Sequence, residues 1–373
     1  MVGSRKALVV GAGPAGLSAA ISLRQAGFGV DVLEKTPDRA VLGSELLVAS
    51  PALRALELIG AANRVAEVGV PIEGVSFFAP NGAPVAKVPF HKFTRSELPA
   101  SVGITRSALH AAISDNAEGL DIKVARDVSV QALVDEGTGI RATRTDGIEC
   151  YYDFVVGADG IASQVRQLRF PETFRPPYSG QCVWRASVPR RTEAALYGGF
   201  GRKANVGLIT VSDDESYLFC LTAHATPPRP DPANYVQLLQ DALSEFEGPL
   251  GEASRLIDGS RTIHFSAMWA GVMPLPWTDG RAILIGDAAH AATPHLGYGA
   301  GLAIEDGVVL GWVMRDAPDV ASGLRTFGER RVERSRMVVE AGLRICKSQQ
   351  RPIPGFNQAA ESEAVWIKLV EPI

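Results

Sequence analysis

Cysteine is scarce and unorganised in this chain. Its four cysteines, Cys150, Cys182, Cys220 and Cys346, are spread over 373 residues with no CxxC pair. That spacing excludes a zinc ribbon, an iron–sulfur centre and a disulfide framework, and leaves reduced, buried thiols. The six histidines show no metal-ligand spacing either, so no metal is expected. With 37 basic and 41 acidic residues the net charge is −4, and no basic run occurs. The electrostatic footprint of a nucleic-acid binder is therefore missing. No apolar run approaches the ~18 residues of a membrane span, and Met1 to Lys6 is too short and polar for a secretory signal. A cytoplasmic protein is the expectation. Internal repeats and low-complexity tracts are also lacking. What is present is an ordinary globular composition, 46% hydrophobic and 21% charged, in a chain long enough for one large or two intertwined domains. Small molecules are its expected partners.

The organising stretch is Ala7 to Lys35. Four apolar residues, Ala7 to Val10, make a short buried strand that runs into Gly11-Ala12-Gly13-Pro14-Ala15-Gly16. Gly11 permits a tight turn, Gly13 lets the backbone approach a pyrophosphate, and Gly16 lets the next helix lie close on the strand. That helix, ending near Gln25 with Gly27 as its stop, points its positive end at the phosphates. A second strand, Gly29 to Leu33, delivers Glu34 and Lys35 to the same edge, where a carboxylate suits ribose hydroxyls better than a 2′-phosphate. The combination predicts an adenine dinucleotide, either FAD or NAD.

Further along, Pro51 to Ile59 has helical spacing, and Val75 to Val88 reads as two strands around an Asn81-Gly82 hairpin turn. Arg39 reads as a solvated loop arginine or a phosphate contact. Arg106 opens a helix over Ala108 to Asn116, where a cation gains nothing from the dipole, so it calls for an anionic partner, a pyrophosphate or a neighbouring aspartate. Asp121 to Gly147 looks like strands, and Tyr151 to Val156 like a third buried strand. It ends in Gly157-Ala158-Asp159-Gly160, where Asp159 is a helix cap or lies at the mouth of a nucleotide cleft. From Tyr178 to Pro274 strands dominate, with a helix around Asn234 to Phe246. Trp184, Arg185, Tyr217, His224 and His264 are the expected lining of a pocket for an aromatic or anionic ligand. Ala282 to Ile285 is another strand. It meets Gly286-Asp287, then a turn with Pro294, Gly297, Gly299 and Gly301, then a helix to about Met314. Leu324 to Ser335 reads as an amphipathic helix with a solvated charged face, and the tail after Arg351 carries no readable function.

Together these stretches resemble the flavoprotein aromatic hydroxylases, the single-component FAD monooxygenases typified by p-hydroxybenzoate and salicylate hydroxylases. GAGPAG with Glu34, GADG with Ser163 and Arg166, and GDAAH with Pro294, Gly297 and Gly299 carry the resemblance, in the family's order, over about residues 5 to 340. It implies an α/β fold: a Rossmann-like FAD-binding domain from 1–74, 101–177 and 275–340, with an inserted mixed β-sheet substrate domain from 75–100 and 178–274, and 341–373 as a C-terminal appendage. It implies FAD held by Gly11, Gly13, Pro14, Ala15, Gly16, Glu34, Lys35, Arg106, Asp159, Gly160, Gly286, Asp287, Pro294, Gly297, Gly299, Ala300 and Gly301. NADH or NADPH is implied as a transient electron donor and O2 as co-substrate. A flavin C4a-hydroperoxide would then hydroxylate a small aromatic or N-heteroaromatic ring. His224, His264 and His295 are the candidate bases, and Arg185 a fork for a substrate carboxylate. Tyr178-Ser179-Gly180 with Trp184-Arg185 looks like the salicylate hydroxylase branch. In place of that family's Gly-Gln-Gly stands Gly297-Tyr298-Gly299, so Tyr298 and His295 are expected to face the flavin or substrate. A monomer or homodimer is expected. Alternatives on the same scaffold are an epoxidase, a Baeyer–Villiger or ring-opening oxygenase, and a non-catalytic flavin binder.

Overall fold

Lys6–Val10 is buried from Ala7 onward, which is the signature of a strand covered on both faces of a parallel sheet. In the computed structural model, which describes residues 5–37, 45–92, 97–170, 174–191 and 195–373, this strand is central. It pairs in parallel with Gly29–Glu34 on one side and Phe154–Gly157 on the other. Val124–Arg126 extends the sheet beyond the first, Ala282–Leu284 beyond the second, and the short antiparallel Thr278–Asp279 completes six strands. The helix Pro14–Gln25 starts with proline at its first turn and stops at Ala26, with Gly27 following at φ +88°. It packs on the helix Gly299–Asp316 so closely that a Cβ on Gly307 would lie 2.4 Å from the Ala19 nitrogen. One large apolar core joins these two helices to both sides of the sheet.

A second, seven-stranded sheet is built from two separated stretches. Its order is Ile263–Trp269, Tyr178–Pro189, Glu215–Ala223, Ala204–Thr210, Leu196–Phe200, Gly74–Phe78 and Pro84–Pro89. The last two form the hairpin expected around Asn81-Gly82, and the pair Leu196–Phe200 with Gly74–Phe78 is parallel, so the sheet is mixed. Leu196–Phe200 was not expected from the sequence; its Gly198-Gly199 pair weakens the strand pattern. The helices Tyr235–Leu243 and Gly248–Arg255 cover one face and enclose a separate apolar core around Trp184, Phe246 and Leu250.

Two expectations need correction. Tyr151 to Val156 is not one strand: Glu149–Tyr152 belongs to a three-stranded antiparallel sheet, Tyr151 is exposed, and the buried strand begins at Phe154. The charged helix is not solvated all along its polar face. It runs unbroken from Val320 to Gln350, through the proposed boundary at 340, and its Arg331 is only 1% exposed. The helix Gln358–Leu369 docks by its C-terminal end, where Arg54 donates to the carbonyls of Leu369, Val370 and Glu371. No helix among the described residues is long and apolar enough to cross a membrane.

Candidate active site

The glycine loop has the geometry its residues predict. Gly11 sits at φ +103°, and a Cβ there would lie 2.4 Å from the Ala158 carbonyl oxygen, so only glycine fits. Gly13 caps the helix without a side chain, and a Cβ on it would meet no heavy atom within 4 Å. The N-terminal amides of a 12-residue helix thus face open space, the arrangement that holds an anion. Glu34 is fixed beside this space, accepting from the Ala12 nitrogen at 2.8 Å and the Thr36 nitrogen at 2.9 Å. Burial acts to raise its carboxyl, and these backbone donors outweigh it and hold the group below its ordinary range. Lys35 stands exposed next to it. His110, which no sequence argument singled out, donates from Nε2 to the Ala12 carbonyl at 2.9 Å and ties the Arg106–Gly119 helix to the loop.

Asp159 caps the helix Gln164–Arg169. Its carboxylate accepts from the Gln164 and Val165 nitrogens and from the Ser163 hydroxyl, with Gly160 beside it at φ +77°. Arg166 is buried and donates to the Ala288 carbonyl at 2.7 Å, which locks this second motif to the third.

In the third motif, Gly286 donates its N–H to Asp306 Oδ2 at 2.8 Å, and His290 Nε2 donates to the same oxygen at 2.6 Å. Burial would raise the Asp306 carboxyl, but His290 and Arg331 bring it down to about 2. Asp287 points the other way, into a cleft. Water reaches its side chain, yet the protein crowding around it raises the carboxyl above its ordinary value, against the pull of His290 and Arg106. Arg106 opens into the same cleft. Its guanidinium is lowered first by the surrounding protein and then by the nearby Arg185, and is supported by Asp287, Tyr217 and Glu45. The anion that Arg106 calls for is thus partly supplied within the chain.

The seven-stranded sheet closes this cleft with one face. Arg185 lies opposite His264 across the strand pair, and its Nη1 donates to Ser266 Oγ at 2.9 Å. Tyr217 and the apolar group Val183, Phe219, Leu221 and Met268 share that face. Two expected pocket residues do not. Trp184 packs on Phe265 and Tyr235 under the covering helices. The His224 ring bonds Thr222 Oγ1 and meets the edge of Phe265, so it belongs to the Trp184 face. Strand alternation sends neighbouring side chains to opposite faces, and only the packing of the helices tells which face is covered.

Of the loop residues, Pro294 and Gly297 are exposed and Gly299, Ala300 and Gly301 open the following helix. Tyr298, expected to face the flavin or substrate, is turned inward: it is 1% exposed and its hydroxyl donates to Glu305 Oε1 at 2.7 Å. A side chain lining an open cleft would be wet, so Tyr298 does not line this one. His295 is held by Gln349 Oε1 at 3.1 Å. The amide nitrogen of Gln349 donates to Gln358, so its oxygen is the acceptor and His295 Nε2 carries the proton. Burial lowers the imidazole from 6.5 to about 4. Between those values the unfolded chain binds a proton that the folded one refuses. The stability this contributes is complete above pH 6.5 and is lost as pH falls toward 4, a change of about 3 kcal/mol. His295→Asn should flatten that part of a thermal-unfolding curve measured against pH; an unchanged slope would show that His295 is not held neutral. Arg39 lies outside the described residues.

An FAD fits what is present. Open backbone at Gly13 and Gly297, a carboxylate fixed at Glu34, and a cleft that leaves Asp287 and Arg106 wet would otherwise lack a purpose. Fold and site define the class, a flavoprotein of the two-sheet monooxygenase type. Residues 4–341 match the family described as FAD binding domain, and the chain belongs to that family of FAD-dependent monooxygenases and aromatic hydroxylases. It is 31% identical, over 97% of its length and 92% of the relative's, to 2-heptyl-3-hydroxy-4(1H)-quinolone synthase of Pseudomonas aeruginosa. It is 27% identical to the FAD-dependent urate hydroxylase of Mycolicibacterium vanbaalenii, over 91% and 88%. Among solved structures, Klebsiella pneumoniae HpxO complexed with FAD and uric acid matches with a TM-score of 0.84 at 24% identity, over 100% of this chain and 94% of that one. The protein is an FAD-dependent monooxygenase with the p-hydroxybenzoate hydroxylase-like fold.

Proposed function

We propose that the protein hydroxylates a small N-heteroaromatic or phenolic ring carrying an ionisable oxygen or carboxylate, using NADH or NADPH and O2. The observation that carries this reading is one sheet face that sets Arg185, held by Ser266, beside His264 and next to the apolar group Val183, Leu221, Met268 and Phe219. A guanidinium fork beside an apolar surface suits a flat ring with an anionic edge. The quinolone synthase and urate hydroxylase among the relatives are named for N-heteroaromatic compounds, which supports the ring class.

A bound FAD would supply the electron relay between nicotinamide and oxygen, so that NAD(P)H, a proton, O2 and substrate would give NAD(P)+, water and hydroxylated product. The chain's own residues do the rest. Arg185, steadied by Ser266, orients the substrate's anionic edge with a planar fork. His264, across from it, is placed to accept a ring-hydroxyl proton. The apolar group Val183, Phe219, Leu221 and Met268 keeps that side of the cleft dry, which limits wasteful peroxide release. In this reading the mixed sheet, with 75–100 and 178–274, is the substrate-covering unit.

The test is NADH and NADPH oxidation with hydroxybenzoates, hydroxypyridines and hydroxyquinolones, with products weighed by mass spectrometry. One ring compound should stimulate oxidation and gain one oxygen atom. Arg185→Ala should raise KM for that compound about 100-fold, the scale of a lost charge-assisted contact, and affect an uncharged analogue far less. An epoxide, lactone or ring-opened product would move the assignment to another oxygenase, and a yellow protein that no ring compound stimulates would favour a binding role.

A further inference from the structure

The C-terminal helix Gln358–Leu369 is docked with more care than an appendage needs. Its last carbonyls, and those just beyond, receive hydrogen bonds from three arginines on two other helices. Arg54 reaches Leu369, Val370 and Glu371, Arg334 reaches Lys368 and Leu369, and Arg330 reaches Ile373. Cations at the negative end of a helix are favourable, and here they also satisfy its orphan carbonyls. Arg334 does a second job. Its guanidinium grips the Glu305 carboxylate with both arms, at 2.7 Å each.

Glu305 in turn accepts the hydroxyl of Tyr298. The Tyr298 ring is boxed in. Trp366 of the C-terminal helix meets it edge to face at 5.6 Å, and on the other side a Cβ on Gly301 would collide with the ring at 2.5 Å. Tyr298 sits between Gly297, which is exposed at φ +62°, and Gly299, which begins the following helix. Wherever the tyrosine ring is held, the amides of the loop on either side must follow.

We infer that the C-terminal helix positions the flavin loop of residues 294–301 through Tyr298, which makes Tyr298, Glu305, Arg334 and Trp366 positioning residues for the cofactor. The chain of contacts is continuous from the Leu369 carbonyl through Arg334, Glu305 and the Tyr298 hydroxyl to the loop backbone. It also accounts for the tyrosine that replaces glutamine in the Gly-Gln-Gly pattern: the larger ring reaches the buried acid and the tryptophan, and Gly301 leaves room for it. The inference rests on the reading that this loop faces FAD.

The experiment compares the holoprotein with Tyr298→Phe, Trp366→Leu, Trp366→Phe and the double variant Tyr298→Phe/Trp366→Leu. Tyr298→Phe keeps the ring and removes one O–H, and Trp366 is only half-buried, so these proteins are expected to fold. FAD dissociation constants, visible flavin spectra and flavin midpoint potentials are measured on each. Tyr298→Phe and Trp366→Leu should each weaken FAD binding about 5- to 20-fold and shift the spectrum and potential, and Trp366→Phe should restore most of the loss. The double variant should lose less than the product of the two, because both act through one ring. If wild-type protein is yellow and the variants keep its constant, spectrum and potential, or if the two losses simply multiply, the inference is wrong while the cofactor reading stands. A wild-type protein that never takes up FAD overturns both.

Discussion

Gly13→Asp should give a protein that folds as well as its parent and binds FAD about 1000-fold more weakly. Gly13 is the N-cap residue of the first helix, with φ −73° and ψ −178°, a conformation any residue adopts. Aspartate is among the preferred caps there, and its charge suits the positive helix end, so stability should hold or rise slightly. The new side chain also meets no protein atom, because nothing lies within 4 Å of the Cβ position. What it does enter is the space before the helix amides, which in our proposal holds the diphosphate of the cofactor. A carboxylate about 4 Å from one phosphate charge costs roughly 4 kcal/mol at an effective dielectric constant near 20, which is a loss of about 1000-fold in affinity. The check is a pair of measurements on FAD-free protein: thermal unfolding, and titration with FAD followed by flavin fluorescence. Gly13→Ser, neutral and of similar size, separates charge from bulk. Unaltered FAD binding by Gly13→Asp would mean that the diphosphate lies elsewhere.

The second large effect is expected from Arg331→Met. Arg331 is fully enclosed and donates from Nε to Asp306 at 2.7 Å and from Nη2 to Glu305 at 2.9 Å. Methionine matches much of its volume and none of its charge. Glu305 then keeps Arg334 and the Tyr298 hydroxyl, while Asp306 keeps His290 and the Gly286 N–H and has no arginine. Breaking a buried ion pair from one side costs about 3–5 kcal/mol, or about 4–6 °C in unfolding temperature for a chain of this size. The pH dependence should change with it. Asp306 is held down to about 2 from 3.8, so the stability it contributes is present above pH 3.8 and disappears as pH falls through 2. Without Arg331 the carboxyl is held down less, so the loss below pH 3.8 should be smaller and the gap between parent and variant should narrow as the pH falls. Circular dichroism melts from pH 7 down to pH 3 measure both. A variant that melts with the parent across that range would show that the arginine contributes no net stability.

These two sites differ in how far the sequence reveals them. Gly13 is legible because its requirement is local: a strand, a glycine turn and a helix start lie within one short stretch, and each residue type answers to its own backbone. The same locality exposed the hairpin at Asn81-Gly82 and Glu34 at the end of its strand. The Arg331 pair left a fainter mark. Glu305 and Asp306 are adjacent acids inside an otherwise apolar helix, a pattern that asks for a buried cation, but the cation stands 25 and 26 residues further on. A charged helix viewed alone looks solvated.

The sequence by itself determined the nucleotide loop, the order of its three motifs and, through their combination, the flavoprotein monooxygenase family. Glycine turns, helix caps and short apolar strands are settled by neighbours in the chain, so their chemistry survives reading in one dimension. Only the tertiary structure decided where side chains aim. It placed Arg185 and His264 on the cleft and Trp184 and His224 on the opposite face, because two helices happen to cover that side of the sheet. It turned Tyr298 away from the cleft toward Glu305 and Trp366, and docked the C-terminal helix on Arg54, Arg330 and Arg334. Direction depends on which distant surfaces meet, and the local pattern of residues is the same whichever way a side chain points.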